Sequence, residues 1–244
     1  AAMFIGCSNL TKLNINSWTT SNVTNMSNMF YSCKALLKLD LSNFCTSNVM
    51  YMRAMFGSCV ELTELNLESF DTADVTDMSR MFSDCIKLQK LELSNFNTSK
   101  VTNMAYMFNA CNVLSELNLS NFDTSNVTSM AYMFNGCKTL SKLDVSSFST
   151  SNVTDMRNMF LDCNTLKELN ICKFNTSNVT DMSGMFWNCN KLIELDVSGF
   201  NTNKVTNMYG MFYLCTTVSE LDISNFDTSN VTSMQGMFAN CNAL

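Results

Sequence analysis

Apolar residues recur along this chain in two alternating rhythms. In Leu143-Asp144-Val145 they alternate with a polar residue, the pattern of a short strand with one buried face. In Val127, Met130, Phe134 and Cys137 they fall at spacings of three, four and three, the stripe of a short helix. Both rhythms return every 26 residues. Cys7, Cys33, Cys59, Cys85, Cys111, Cys137, Cys163, Cys189, Cys215 and Cys241 keep that interval without insertion or deletion. Met-Phe precedes each of them, from Met3-Phe4 to Met237-Phe238, and an aromatic recurs at Trp18, Phe44, Phe70, Phe96, Phe122, Phe148, Phe174, Phe200 and Phe226. One unit reads C-x-x-L-x-x-L-x-[LIV]-x-x-[FW]-x-T-x-x-V-T-x-M-x-x-M-F-x-x. A unit this short cannot close a core of its own, whereas stacked units bury each apolar set against the next coil.

The pattern therefore predicts one repeat domain over residues 1–244, with nine full 26-residue units plus a partial one. Strands of neighbouring coils are expected to pair in parallel, about 4.8 Å apart. Thr124 or Ser125 offers an N-cap for the helix, since a hydroxyl there accepts an orphan helical N–H. The Val-Thr that opens the second half reads either as the helix start or as a second short strand before a shorter helix.

Cys137-x-x-Leu140-x-x-Leu143-x-Val145 resembles a leucine-rich-repeat strand signature, and Met133-Phe134-x-x-Cys137 is similar to the segment that closes bacterial BspA-type repeats. The longer stretch L-S-x-F-x-T-S-x-V-T-x-M-x-x-M-F-x-x-C looks like the variant abundant in mycoplasma lipoproteins and other low-GC bacterial surface proteins. The resemblance covers the whole chain. It implies an α/β fold, a right-handed leucine-rich-repeat solenoid with a short parallel strand plus a short helix per coil. It also implies a cell-surface or secreted location and a role in adhesion or host binding. The chain departs from many BspA-type repeats in lacking a proline after the strand, and it shows no signal, lipobox or wall anchor.

Composition narrows the function further. The chain has 21 acidic against 15 basic residues, a net charge of −6, which argues against a nucleic-acid surface. No apolar run approaches the roughly 18 residues that span a bilayer. Histidine is absent, which removes the commonest general base and metal ligand. Carboxylates are placed by repetition, no glycine-rich phosphate loop occurs, and no coil is marked as chemically special. The expectation is a non-enzymatic module without catalytic residues, bound metal or cofactor.

Each recurring residue type has a structural and a functional reading. A cysteine three residues after an inward phenylalanine fits a buried position as a small hydrophobe. The alternatives are disulfides between stacked coils and metal binding, but the ladder lacks C-x-x-C spacing. Cys45 and Cys172 stand outside the register and are the expected exposed thiols. Two methionines per coil fit core positions better than a copper(I) site. The first threonine row, Thr20 to Thr228, is expected to make capping and inter-coil hydrogen bonds. A second row, Thr24 to Thr232, is broken only by Met50, and the regular threonines raise ice binding as an alternative. Five Asn-Val-Thr sequons, at Asn22, Asn126, Asn152, Asn178 and Asn230, read most simply as turn residues.

The outward strand residues form the candidate partner face. Lysines dominate its early coils and glutamates its late ones. The candidate residues are Lys142, Asp144, Glu168, Asn170, Glu194, Asp196, Glu220 and Asp222, with the last four carboxylates making an anionic end. The expected partner is a protein ligand or host surface component, with calcium at the acidic end as an alternative. The bland reading is a solvated face whose charges resist aggregation. A rival role is structural: Ala2-Met3-Phe4 and Cys241-Asn242-Ala243-Leu244 look like repeat interior, as expected of a fragment of a longer chain or of ends that self-associate into filaments.

Overall fold

A computed structural model describes residues 1–244. The chain winds as a stack of coils, and one coil, Cys137–Asp162, stands for the rest. It opens with a turn and the strand position. Turns Val145–Phe148 and Thr150–Val153 follow, closed by backbone bonds of 3.0 Å each. Asp155 then bridges in parallel to Ser129 on one side and Asp181 on the other.

From Met156 to Cys163 the expected helix is replaced by consecutive turns, and the structure contains no helix anywhere. The hydrogen bonds give the reason. The N–H groups of Met156, Asn158, Phe160 and Asp162 leave the coil and donate to Asp181, Ser183, Met185 and Trp187 of the next one, at 2.8–3.1 Å. The intervening N–H groups of Met159, Leu161 and Cys163 donate three residues back within the coil, each at 3.2 Å. An α-helix would need every N–H to reach four residues back. Asn158 (φ 54°) and Asp162 (φ 58°) are left-handed, the mark of a type II turn at its third residue. All twenty residues of positive φ stand in these two rows of the repeat, and eleven of them are Gly, Asn or Asp. Arg80, Tyr106, Tyr132 and Leu214 take the same conformation against their preference, held by bonds to the next coil. The three-four-three spacing still points Val153, Met156, Phe160 and Cys163 inward, all at most 1% exposed. An isolated stripe of this length makes only a marginal helix, so pairing with the neighbouring coil overrides it.

The capping expectation also gives way. Thr124 Oγ1 donates to Ser149 O at 2.8 Å in the following coil, and the Ser125 N–H is taken by Asp123 Oδ1 at 2.9 Å. Val-Thr opens an extended stretch: Thr128 N donates to Thr102 O at 2.9 Å, and Ser129 makes the bridge. Bridges at this point join nine coils in an unbroken series from Asn25 to Ser233.

Pairing on the leucine side is discontinuous. Strand β1 (Lys38–Asp40) pairs with β2 (Glu64–Asn66), and β3 (Lys142–Leu143) with β4 (Glu168–Leu169), both parallel and in register. Corresponding residues of other coils form no ladder, and side chains join those coils just beyond the strand position. Asn95 Nδ2 donates to Leu67 O and Phe70 O of the preceding coil at 3.0 and 2.8 Å, and Asn121 Nδ2 does the same to Leu93 O and Phe96 O at 3.0 and 2.7 Å.

The core is a set of ladders. Phe30, Phe56, Phe82, Phe108, Phe134, Phe160, Phe186 and Phe212 are fully buried, and their rings stack at 5.7–5.8 Å with planes 4–10° apart. Offset stacking of this kind adds about 0.5–1.5 kcal/mol per pair to the burial itself. The cysteines occupy the expected inward row. Cys59 Sγ donates to Phe30 O at 3.1 Å, and the same contact repeats up the stack. Cysteine thus fills a small apolar space and satisfies a buried carbonyl. Burial pushes the thiols of Cys59, Cys111, Cys163 and Cys215 up to about 12.

Buried threonines link coils where the backbone turns away. Thr150 Oγ1 donates to Asn175 O at 3.0 Å and accepts from Asn175 N at 2.8 Å, so one hydroxyl stands in for a bridge residue. Thr46 and Thr176 make the same two-way contact.

Candidate functional site

The repeat sends the residue between the two inward strand positions outward in every coil. Asp144, Asn170, Asp196 and Asp222 are all exposed, as are Lys142, Glu168, Glu194 and Glu220 beside them. The outward Asx residues also close the strand. Asp196 Oδ1 accepts the Ser198 N–H at 3.0 Å and its hydroxyl at 2.6 Å, and Asp222 does the same with Ser224 at 3.0 and 2.7 Å. Asp144 accepts Ser146 N at 2.9 Å, and Asn170 accepts Cys172 N at 3.3 Å. These bonds stabilise the ionised form and hold the carboxyls of Asp144, Asp196 and Asp222 below their ordinary value. This turn role was readable in the sequence as a preference for Asp and Asn over Glu in this row. Only Glu92 departs from it.

The outer row carries charge between coils. Lys142 meets Glu168 at 3.5 Å, and Lys38 meets Glu64 at 2.5 Å. Glu194 and Glu220 have no basic partner. A shallow groove of about 520 Å³ brings Glu168, Asn170, Cys172, Ile193, Glu194 and Asp196 together. A second depression continues it along Glu194, Asp196, Glu220 and Asp222. Lys142 and Asp144 lie outside both. Ile193, which pattern reading passed over, is 61% exposed between the two depressions and gives the acidic surface an apolar centre.

Cys45 and Cys172 are exposed, as expected, and the structure adds Cys7. Hydrogen bonding to Ser47, at 3.5 Å from Sγ, lowers the Cys45 thiol from its ordinary value. Cys172 lines the groove and Cys45 does not. The second threonine row is exposed, but its hydroxyls donate to the preceding coil, as from Thr154 Oγ1 to Thr128 O at 3.2 Å. The sequon asparagines Asn126, Asn152, Asn178 and Asn230 donate Nδ2 to backbone carbonyls one coil back at 2.7–2.8 Å, as turn residues do. No helix is long and apolar enough to cross a membrane.

Among solved structures, the chain is similar to a leucine-rich-repeat protein of T. pallidum (18% identity, 80% of this chain and 72% of that one, TM-score 0.39). It is similar to a leucine-rich-repeat protein from Bacteroides ovatus ATCC 8483 (14% identity, 95% and 75%, TM-score 0.41). A leucine-rich cell surface protein from Faecalibacterium prausnitzii A2-165 is a third (17% identity, 89% and 74%, TM-score 0.40). No curated protein sequence matches the chain. The family model described as "Mycoplasma protein of unknown function, DUF285" matches residues 1–111, 86–170 and 158–244. Between them these segments cover the whole length, and the chain belongs to the DUF285 family.

Proposed function

We propose that this chain is a non-enzymatic binding module of a bacterial cell surface, which takes a protein partner on its strand face. The observation that carries the reading is the groove at the acidic end, where five exposed carboxylates surround the bare side chain of Ile193. Lys142 pairs with Glu168 and Lys167 also lines the groove, so the acidic end keeps an excess of carboxylates. Charge complementarity suits an extended basic segment carrying one apolar side chain for Ile193. Surface attachment and adhesion are part of the same reading, supported by membership of a Mycoplasma family and by the resemblance to surface repeats.

The test is binding to immobilised host matrix proteins and to a lysine-rich peptide, comparing the parent chain with Glu194→Lys/Glu220→Lys. The parent should bind with an affinity that falls as salt rises, and the double variant should bind at least tenfold more weakly. Equal binding by both would remove the strand face from the reading. Antibody labelling of intact cells tests the location, and labelling only after lysis would overturn it. Negative-stain microscopy across a concentration series tests the rival role, since growing fibres of constant width would put end-to-end assembly first.

A further inference from the structure

The residue just before each outer charge forms a further row along the strand side. It is Thr, Ser, Gln or Lys in seven of nine coils and aliphatic in two, at Leu37 and Ile193. Both are exposed, at 48% and 61%. One bare aliphatic side chain on a surface needs no explanation. These two, however, are placed alike: each stands three coils from Ser115, one before it and one after it. Each also has charge of one sign beside it. Lys38 follows Leu37, with Lys12 one coil earlier, while Glu194 follows Ile193, with Glu220 one coil later. Lys12, Glu194 and Glu220 have no ion-pair partner within the chain.

Parallel pairing in register keeps these rows aligned from coil to coil, with Lys38 beside Glu64 and Lys142 beside Glu168. A half-turn about a line along the strand through Ser115 and Glu116 therefore lays Leu37 of one copy on Ile193 of another. The same operation lays Lys38 on Glu194 and Lys12 on Glu220. One rotation thus matches an apolar pair and two pairs of opposite charge, and two-fold symmetry makes each contact twice.

Other pairs made by this rotation set its strength. Glu64 meets Glu168, but each is held by a lysine of its own chain. Lys90 and Glu92 lie opposite Lys142 and Asp144, one charge of each sign on either side. Asp40 meets Asp196, and Glu116, on the axis, meets its own copy. These like charges oppose the contact, so it is weak and reversible, and many copies side by side are needed to make it hold.

We infer that the strand face binds the strand face of a second copy, antiparallel, through Leu37 on Ile193 with Lys12 and Lys38 on Glu220 and Glu194. The inference rests on the reading of that face as a binding surface and names its partner. The early coils of another copy supply the basic segment and the single apolar side chain that the groove suits. Antiparallel pairing is the arrangement open to chains that project from two facing surfaces.

Sedimentation velocity of the whole chain across a concentration series should show a reversible monomer–dimer equilibrium. Leu37→Ser and Ile193→Ser place at each position a residue that other coils carry there. Each should weaken the dimer at least about tenfold, with an unchanged melting temperature. Lys12→Glu and Glu220→Lys should each be monomeric where the parent is dimeric. An equimolar mixture of these two variants should associate again, because each then meets the opposite charge on the other at both ends. Glu116→Gln removes the like charge on the axis and should tighten the dimer. A parent chain monomeric at millimolar concentration, association unmoved by the leucine and isoleucine variants, or a mixture that stays monomeric overturns the inference. A monomer that still binds the lysine-rich peptide through Glu194 and Glu220 overturns the self-contact alone, whereas a monomer that binds neither removes the strand-face reading as well.

Discussion

The two sides of the coil solve the same stacking problem differently. On the turn side the backbone bridges from coil to coil without a gap between Asn25 and Ser233. The inward valines and methionines beside those bridges, such as Val127 and Met130, are completely buried. On the leucine side, strand pairing survives in two places. Its inward leucines are less well covered: Leu91 is 7% and Leu169 8% exposed, and Leu65, Leu117 and Leu221 are only half-buried. The signature that looks most like a strand is therefore not what holds the stack together. Consecutive turns, each handing alternate N–H groups to its neighbour, are the continuous element. The frayed side is free to vary its outward charges because its backbone carries less of the register.

Alkali should destabilise the stack most. The buried thiols have folded values near 12 against an unfolded value near 9. The contribution of these thiols to stability is therefore constant below about pH 9 and is lost as pH rises through 12, by on the order of 1 kcal/mol per pH unit for each. With several in one core, unfolding followed by circular dichroism should be steep within that window. A chain still folded at pH 12 would contradict the burial of the cysteine ladder.

A single core truncation comes next. Phe134→Ala removes a fully buried ring stacked on both sides, and should cost about 3–5 kcal/mol in denaturant melts. A cost below about 1 kcal/mol would mean that the stack does not carry the core. Smaller still is the contrast between the threonine rows. Thr150→Val removes a two-way hydroxyl and leaves the backbone of Asn175 unpaired, at about 1–3 kcal/mol. Thr154→Val in the exposed row should stay within about 0.5 kcal/mol. Equal costs would erase the distinction between the rows.

The smallest effects belong to the acidic end. Glu194→Lys and Glu220→Lys should leave the melting temperature unchanged, since neither side chain has a partner within the chain. Asp196→Lys and Asp222→Lys lose the carboxylate that closes the strand, and each should lower the melting temperature. A larger loss from the glutamates than from the aspartates would reverse the assignment of turn and surface roles.

Much of this arrangement is legible in the sequence, and the rest is hidden for a definable reason. The fixed interval of cysteine, phenylalanine and threonine reveals a stack, an inward stripe and a set of inter-coil hydroxyls, and all three are present. The helix is where pattern reading fails. Spacings of three, four and three put Val127, Met130, Phe134 and Cys137 on one side of a helix, and they do the same for turns of three-residue reach. The distinguishing signal lay in the intervening positions, where Asn28, Asn158, Gly184 and Gly210 precede Met-Phe and Gly136, Asp162 and Asn188 precede cysteine. Such residues weaken a helix and favour left-handed turns. The charges of the strand face were visible as a row, but the groove around Ile193 arises between coils, where a single unit gives no view of it.

The alternating bonds of the turn segment have a consequence for how such a chain can change over generations. Every coil hands its N–H groups to the one that follows, in a register set by 26 residues. A lone insertion or deletion would put inward side chains opposite carbonyls and leave donors facing none. Gain or loss of one whole unit leaves every surviving contact as it was. Recombination between repeats, in steps of 78 bases (26 codons), can therefore lengthen, shorten or shuffle the exposed faces while the interior needs no redesign.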